Sequence, residues 1–157
     1  MQAIITFLLW FSALGCGLVA GLYFAFSSFI MAALGRIDHI HGIAAMNAIN
    51  STILNSLFMP LFFGTTIAST ALAILAVFRW GQPGASVMLA GGLVYVLGMF
   101  VVTVICNVPL NNELATAGRG VADVWARYLK DWTYWNHVRT CASAIAAALF
   151  VAALAWK

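Results

Sequence analysis

The sequence predicts an all-α integral membrane protein: a bundle of four transmembrane helices, with an amphipathic interfacial helix ahead of the fourth. Three observations predict it. Of the 157 residues, 64% are hydrophobic and only 7% charged, where a soluble domain carries roughly 25% charged residues. The apolar residues fall into four runs, each long enough to cross a hydrocarbon core of roughly 30 Å at about 1.5 Å per residue. Those runs are continuous rather than alternating, which excludes the strand pattern of a β-barrel. The whole chain, 1–157, reads as a single membrane domain.

The first span covers about residues 3–34, and at about 32 residues it should tilt or protrude. Its opening, MQAIITFLLWFSALGCGL, has no positive residue ahead of the apolar run, so it reads as a retained span and not a cleaved signal. Ala13, Gly17, Gly21 and Ala25 recur every four residues and are expected to pack against a neighbouring helix. The second span covers about 57–78. Pro60 near its start removes a backbone donor and is expected to kink it. Thr65, Thr66, Ser69 and Thr70 are expected to bond the preceding turn or a neighbouring helix. The third span covers about 85–106. Beyond it, Thr103, Asn107 and Asn111 share a face if the helix persists, whereas Pro109 favours extended geometry at Val108 and an end at Asn107. The segment VADVWARYLKDWTYW has Val121, Val124, Trp125, Tyr128, Leu129 and Trp132 on one side. It is expected to lie on the membrane surface as a roof, jointed at Gly118 and Gly120. The fourth span covers about 138–156, and its many alanines suit close helix packing.

Four crossings put both termini and the short connection after Arg79 on one side. On the other lie residues 35–56 and 107–137, both long and polar. The fold should therefore have one plain end and one chemically rich end. Arg36, Arg119, Arg127, Lys130 and Arg139 at the rich end outnumber Arg79 and Lys157 at the plain end. The positive-inside rule then places the rich end in the cytoplasm, with a bacterial inner membrane as the expected location. The net charge of +3 is scattered, so nucleic acid is not an expected partner. The partners expected are the lipid bilayer, a small molecule and a second copy of the chain. Cys16, Cys106 and Cys141 have no zinc or redox spacing, although Cys106 and Cys141 fall near the same membrane face.

Three polar stretches meet at the rich end. In WTYWNHVRTC, helical spacing puts Trp132, Asn136, Arg139 and Ser143 on one face, with Trp135 beside them and His137 at the edge. Neither an amide nor a guanidinium gains from facing lipid. In MNAINSTILN, Asn47, Asn50, Ser51 and Asn55 form a stripe. In CNVPLNNEL, Asn107 and Asn111 either cap a helix end or face a substrate. All three histidines lie on this side, so a metal or haem held by His137 with His39 or His41 is a further candidate. His39 and His41, two residues apart, cannot share a helix face.

MNAIN, NVPLN and WTYWNHVR, together with GLYFAFSSFIM and LFMPLFFG, resemble the anthrone oxygenase-like family of small four-helix membrane proteins. Most of that family has no assigned role. The resemblance implies oxidation of anthrones, tricyclic aromatic polyketides, to anthraquinones by molecular oxygen without a cofactor. It matches the family at Asn47 and Asn50, at Asn107, Pro109 and Asn111, and at Trp132, Trp135, Asn136 and Arg139. Asn47 stands where glutamine is expected, and His39 and His41 lie outside the pattern. Such chemistry needs a base, an oxyanion stabiliser and a flat apolar pocket. His137 is the candidate base; Arg139, Asn136 and Asn107 are candidates for holding the oxyanion. Trp132 and Trp135 are candidates for stacking on planar rings, with Asn111, Asn50 and Asn47 as further substrate contacts. Two other readings fit the same residues: a non-catalytic membrane subunit that binds a quinone, a lipid or a partner, and a metal- or haem-dependent oxidoreductase.

Overall fold

The computed structural model describes residues 2–117 and 121–156, and the described residues contain no strand. Four helices are long and apolar enough to cross a membrane: α1 (Gln2–Leu34), α3 (Phe58–Phe78), α4 (Ala85–Thr116) and α5 (Val121–Ala155). A shorter helix, α2 (His39–Ile53), separates the first two. The protein is an integral membrane helical bundle. Gln2 accepts a hydrogen bond from Arg79 at 3.3 Å, and Gly84 packs against Ala153 and Trp156. Both ends of the described chain thus meet the 79–84 connection at one end of the bundle.

Length sets the rest of the architecture. α1, α4 and α5 have 33, 32 and 35 residues, about 50 Å each at the helical rise, against a hydrocarbon core of roughly 30 Å. α3, with 21 residues, is the one that fits that core. The longer helices therefore extend past it at the rich end, and their exposed apolar flanks need a cover. α2 provides it. Asp38 caps its first turn by accepting from the Ile40 amide at 2.9 Å. Gly42 lets its backbone rest on Trp125, since a Cβ there would lie 2.7 Å from the indole ring. The result is two hydrophobic clusters. One runs through the spans around Cys16, Val19, Leu72, Tyr95, Met99 and Phe150. The other, beneath α2, joins Phe26, Met31, Met46, Leu114, Tyr128 and Trp132.

Several expectations need correction. VADVWARYLKDWTYW is helical, but it is not a separate interfacial helix: it forms the first turns of the single helix α5. No Gly or Pro interrupts Val121–Ala155, so nothing ends the helix between surface and span, and Trp125, Tyr128 and Trp132 pack under α2. The joint expected at Gly118 and Gly120 lies outside the described residues. Pro109 does not end the third span. Val108 keeps helical angles (φ −62, ψ −45) and its amide reaches back to Thr103 O. The wide π turn over Thr103–Asn107 has already shifted the hydrogen-bond register, so Pro109 sits in the first turn of a new α segment, where its missing N–H costs little. Pro60 likewise falls in the first turn of α3 and does not kink it mid-span.

The glycine ladder of α1 is also misplaced. Gly17 and Gly21 face open space, whereas Gly15 meets α3, where a Cβ would collide with Thr65 Oγ1. The close α4–α5 contact does use an alanine: a Cβ on Gly98 would lie 2.6 Å from that of Ala142. Asn55 lies past the end of α2 and leaves the asparagine stripe. All three cysteines are free.

Candidate functional site

A cavity of about 250 Å³ lies at the rich end, walled by all five helices. Tyr23, Phe58, Phe62 and Phe100 form one side, with successive ring centroids 6.1, 5.8 and 5.7 Å apart. Met46, Ile49 and Ile53 come from α2, and Trp132 and Arg139 from α5. Such a chamber, apolar with few polar groups, is the usual form of a small-molecule site.

Its charged group is Arg139, 4% exposed. The guanidinium stands over the rings of Tyr23 (4.2 Å) and Trp132 (5.0 Å) and donates from Nη2 to Asn136 Oδ1 at 2.7 Å. Asn136 is itself fixed to α1, donating to Tyr23 O at 2.7 Å and to Ser27 Oγ at 2.8 Å. Thr140 accompanies it, donating to Asn136 O at 2.8 Å and sharing a hydrogen bond with Ser27 at 3.1 Å. No carboxylate among the described residues pairs with Arg139; the ion pairs present are Arg127 with Glu113 and His39 with Asp38. A buried charge without a counter-charge is costly. Here the aromatic faces and one amide oxygen compensate it in part.

A second polar point closes the chamber. The Tyr128 hydroxyl donates to Asn111 Oδ1 at 2.8 Å and accepts from Asn50 Nδ2 at 3.4 Å, tying α5 to α4 and α2. Trp125, Tyr128 and Trp132 stack along α5 with centroids 5.8 Å apart, leading towards Arg139. Asn107, fully buried, donates to Trp132 O at 3.2 Å. Three atoms here are buried without a hydrogen-bond partner: Arg139 Nε, Trp132 Nε1 and Asn107 Oδ1. Unpaired buried groups call for an explanation, and two of these three belong to cavity-lining side chains.

The predicted residues divide clearly. Arg139, Trp132, Asn50 and Asn111 line the cavity; Asn136 and Asn107 stand behind it and position its walls. Asn47 lies with Asn50, Ser51, Asn111 and Asn112 along a groove of about 590 Å³ that adjoins the cavity. Trp135 is not in the cavity; it is half-buried and packs edge-on to Tyr134 at 5.1 Å. His137 is exposed on the outer side of α5, away from the cavity, because it lies one residue past Asn136 and so about 100° round the helix. His39 and His41 are on α2, and among the described residues no three His, Cys, Asp or Glu side chains gather as a metal-ligand group.

Sequence reasoning missed Tyr23 and Phe26 from α1, the phenylalanines of α3 and α4, and the three π turns at Phe26–Ile30, Val96–Val101 and Thr103–Asn107. Phe26, Phe100, Thr103 and Val104 of these turns line the cavity, which fits the frequent placement of π bulges at functional sites. The available signal was GLYFAFSSFIM, which gathers four aromatic rings and two serines within seven residues of an otherwise plain span.

A family model described as anthrone oxygenase matches residues 58–149, more than half of the chain. The chain belongs to the anthrone oxygenase family. No curated protein and no solved structure matches it. The matched segment contains α3, α4 and most of α5. It therefore includes Phe62, Phe100, Asn107, Asn111, Trp132, Asn136 and Arg139, and leaves outside it Tyr23 on α1 and the asparagines of α2. In anthrone oxygenase family terms, the cavity is built partly by the matched core and partly by a flank that closes over it.

Proposed function

We propose that the protein is a membrane oxygenase for a planar, phenolic, anthrone-type molecule, and that Arg139 holds the oxygen on which negative charge develops. The observation that carries this reading is the buried Arg139, without a carboxylate partner, at the edge of an aromatic cavity. An anthrone's methylene is acidified by the carbonyl across the ring. Loss of its proton places charge on that carbonyl oxygen, and Arg139 stabilises this anion more than the neutral ketone, which is the differential binding catalysis requires. The electron-rich anion then reacts with oxygen. In the net reaction the methylene loses two hydrogens and gains one oxygen atom, while the other oxygen atom leaves as water.

The phenylalanines and Trp132 supply flat faces for the rings. Among the described residues no carboxylate or imidazole lines the cavity, so the reading gives His137 no role as base. Water reaching the site along the asparagine groove takes the proton from a substrate that Arg139 has made more acidic. No metal or other cofactor enters this scheme. The cytoplasmic orientation rests on the excess of Arg36, Arg119, Arg127, Lys130 and Arg139 at the rich end over Arg79 and Lys157 at the plain end, and labelling of single cysteines placed at the rich end in intact cells tests it.

The test is oxygen consumption by the purified protein in lipid nanodiscs given an anthrone, corrected for spontaneous oxidation. One O₂ consumed per quinone formed is expected. Folded protein that adds nothing to the background rate refutes the reading. The missing base favours a second reading, a quinone-binding membrane subunit using the same cavity; it predicts saturable anthraquinone binding with no oxygen uptake.

A further inference from the structure

The cavity has a side that does not face water. Among its lining residues, Leu54, Phe63, Val104 and Val108 are exposed at the bundle surface, Phe63 by 48% and Val104 by 50%. These four lie where α3 and α4 separate. α3 packs extensively on Ala85–Tyr95, little on Val96–Val101 and still less beyond. The gap opens beside the π turn of Thr103–Asn107. On its side away from the asparagine groove the surface is apolar, with Leu57, Ile67, Leu97 and Ile105 all exposed, the composition of a helix face turned to lipid. Phe63 is only the sixth residue of the 21-residue α3. Because α3 needs nearly its whole length to span the hydrocarbon core, the opening stands at the level of the outer acyl chains.

We infer that the substrate reaches Arg139 sideways from the bilayer, through an apolar portal between Phe63 and Leu54 on one side and Val104 and Val108 on the other. The ligand class is accordingly a lipid-partitioned aromatic molecule that enters rings first. The adjoining groove of Asn47, Asn50, Ser51, Asn111 and Asn112 shares Asn50, Leu54, Val108 and Asn111 with the cavity, and it serves water and protons, not the ring system. This inference rests on the function proposed above for its substrate, but the route can be tested without turnover.

Val104→Trp narrows the portal without touching Arg139 or its partners. Ile105→Trp, on the neighbouring exposed position outside the cavity lining, is the control, and Asn112→Trp obstructs the groove. The protein is reconstituted in vesicles, and two quantities are measured: anthrone turnover, and the rate at which added 9,10-anthraquinone quenches tryptophan fluorescence, each variant against its own unliganded signal. Val104→Trp is expected to slow both by about tenfold or more, with Ile105→Trp near wild type in both; Asn112→Trp, which obstructs the water groove, should slow turnover while leaving the quenching rate near wild type. Adding empty vesicles should slow wild-type turnover by diluting the substrate within lipid. A membrane-excluded sulfonated anthrone should be a poor substrate. If Asn112→Trp blocks quenching while Val104→Trp does not, the route is aqueous and the inference is overturned. If quenching follows the portal variant but no anthrone is oxidised, the portal stands and the oxygenase reading fails.

Discussion

Arg139→Met removes the charge and keeps most of the stem's volume, so it separates function from folding. In the folded protein the guanidinium donates a charged hydrogen bond to Asn136 at 2.7 Å, worth about 1.5–3 kcal/mol. Its two ring contacts at 4.2 and 5.0 Å add about 0.5–2 kcal/mol each. Against these stands the desolvation of a charge with no counter-charge, several kcal/mol by itself. The sum is close to zero, and the variant should stay within about 2 kcal/mol of wild type, a shift of roughly 4–8 °C or less in Tm for a chain of this size. Its activity should fall far more. Losing a preorganised oxyanion donor costs about 10²–10³ in rate. Thermal unfolding followed by circular dichroism in detergent, alongside oxygen uptake, gives both numbers from one preparation. A variant that melts normally and retains more than a tenth of wild-type kcat/KM refutes the assignment. So does one that fails to fold, because Arg139 would then be a structural element.

Other positions give sharper contrasts. Gly15→Ala drives a methyl into Thr65 Oγ1 and should destabilise the bundle by about 1–3 kcal/mol. Gly17→Ala, with nothing within 4 Å, should be neutral or stabilising by up to about 1 kcal/mol; equal effects in thermal melts would contradict the assigned packing face of α1. His137→Ala should leave oxygen uptake within about twofold of wild type, since the ring is exposed and outside the cavity. A hundredfold loss there would restore His137 as the base.

The legible parts of this molecule were those governed by simple periodicities. Runs of apolar residues define a membrane helix by solvation alone, so each of the four runs falls within a long helix, although α4 continues to Thr116 and α5 already begins at Val121. The face of Trp132, Asn136, Arg139 and Ser143 is buried as its spacing predicts. What the sequence could not show depends on which neighbour each face meets. Gly15 and Gly17 look alike in a hydropathy profile, yet one lies against Thr65 and the other faces outwards. Pro109 carries the same local preference in any chain, and a preceding π turn overrides it by changing the hydrogen-bond register. His137 stands in the same polar stretch as Arg139, and its adjacency in sequence to Asn136 turns it out of the cavity.

Asn136 shows how the site is set. Its amide has two protons, and both are used, by Tyr23 O and Ser27 Oγ. Only its oxygen is left for Arg139, and a flipped amide would oppose N–H to guanidinium and oxygen to a carbonyl. The orientation of Arg139 is therefore dictated by α1, a helix outside the segment that matches the family. Asn136 orients the arginine without neutralising it, which leaves the positive charge for a ligand. Asn136→Asp tests that distinction. It is nearly the same size and keeps an oxygen facing Nη2; it gives up the two N–H bonds to Tyr23 O and Ser27 Oγ, a loss that a thermal melt reads separately, but it supplies the counter-charge that the site lacks, and a close buried ion pair forms. The arginine remains in place with its charge satisfied, so anion stabilisation should drop by about 10²-fold, close to the loss in Arg139→Met, and binding of a phenolate ligand should weaken in parallel. Titration calorimetry with an anthranol-type phenol at a pH where it is ionised, together with oxygen uptake, measures both. If Asn136→Asp keeps activity within about threefold of wild type, the free charge on Arg139 is not what the chemistry uses, and the cavity's apolar shape alone would have to account for binding.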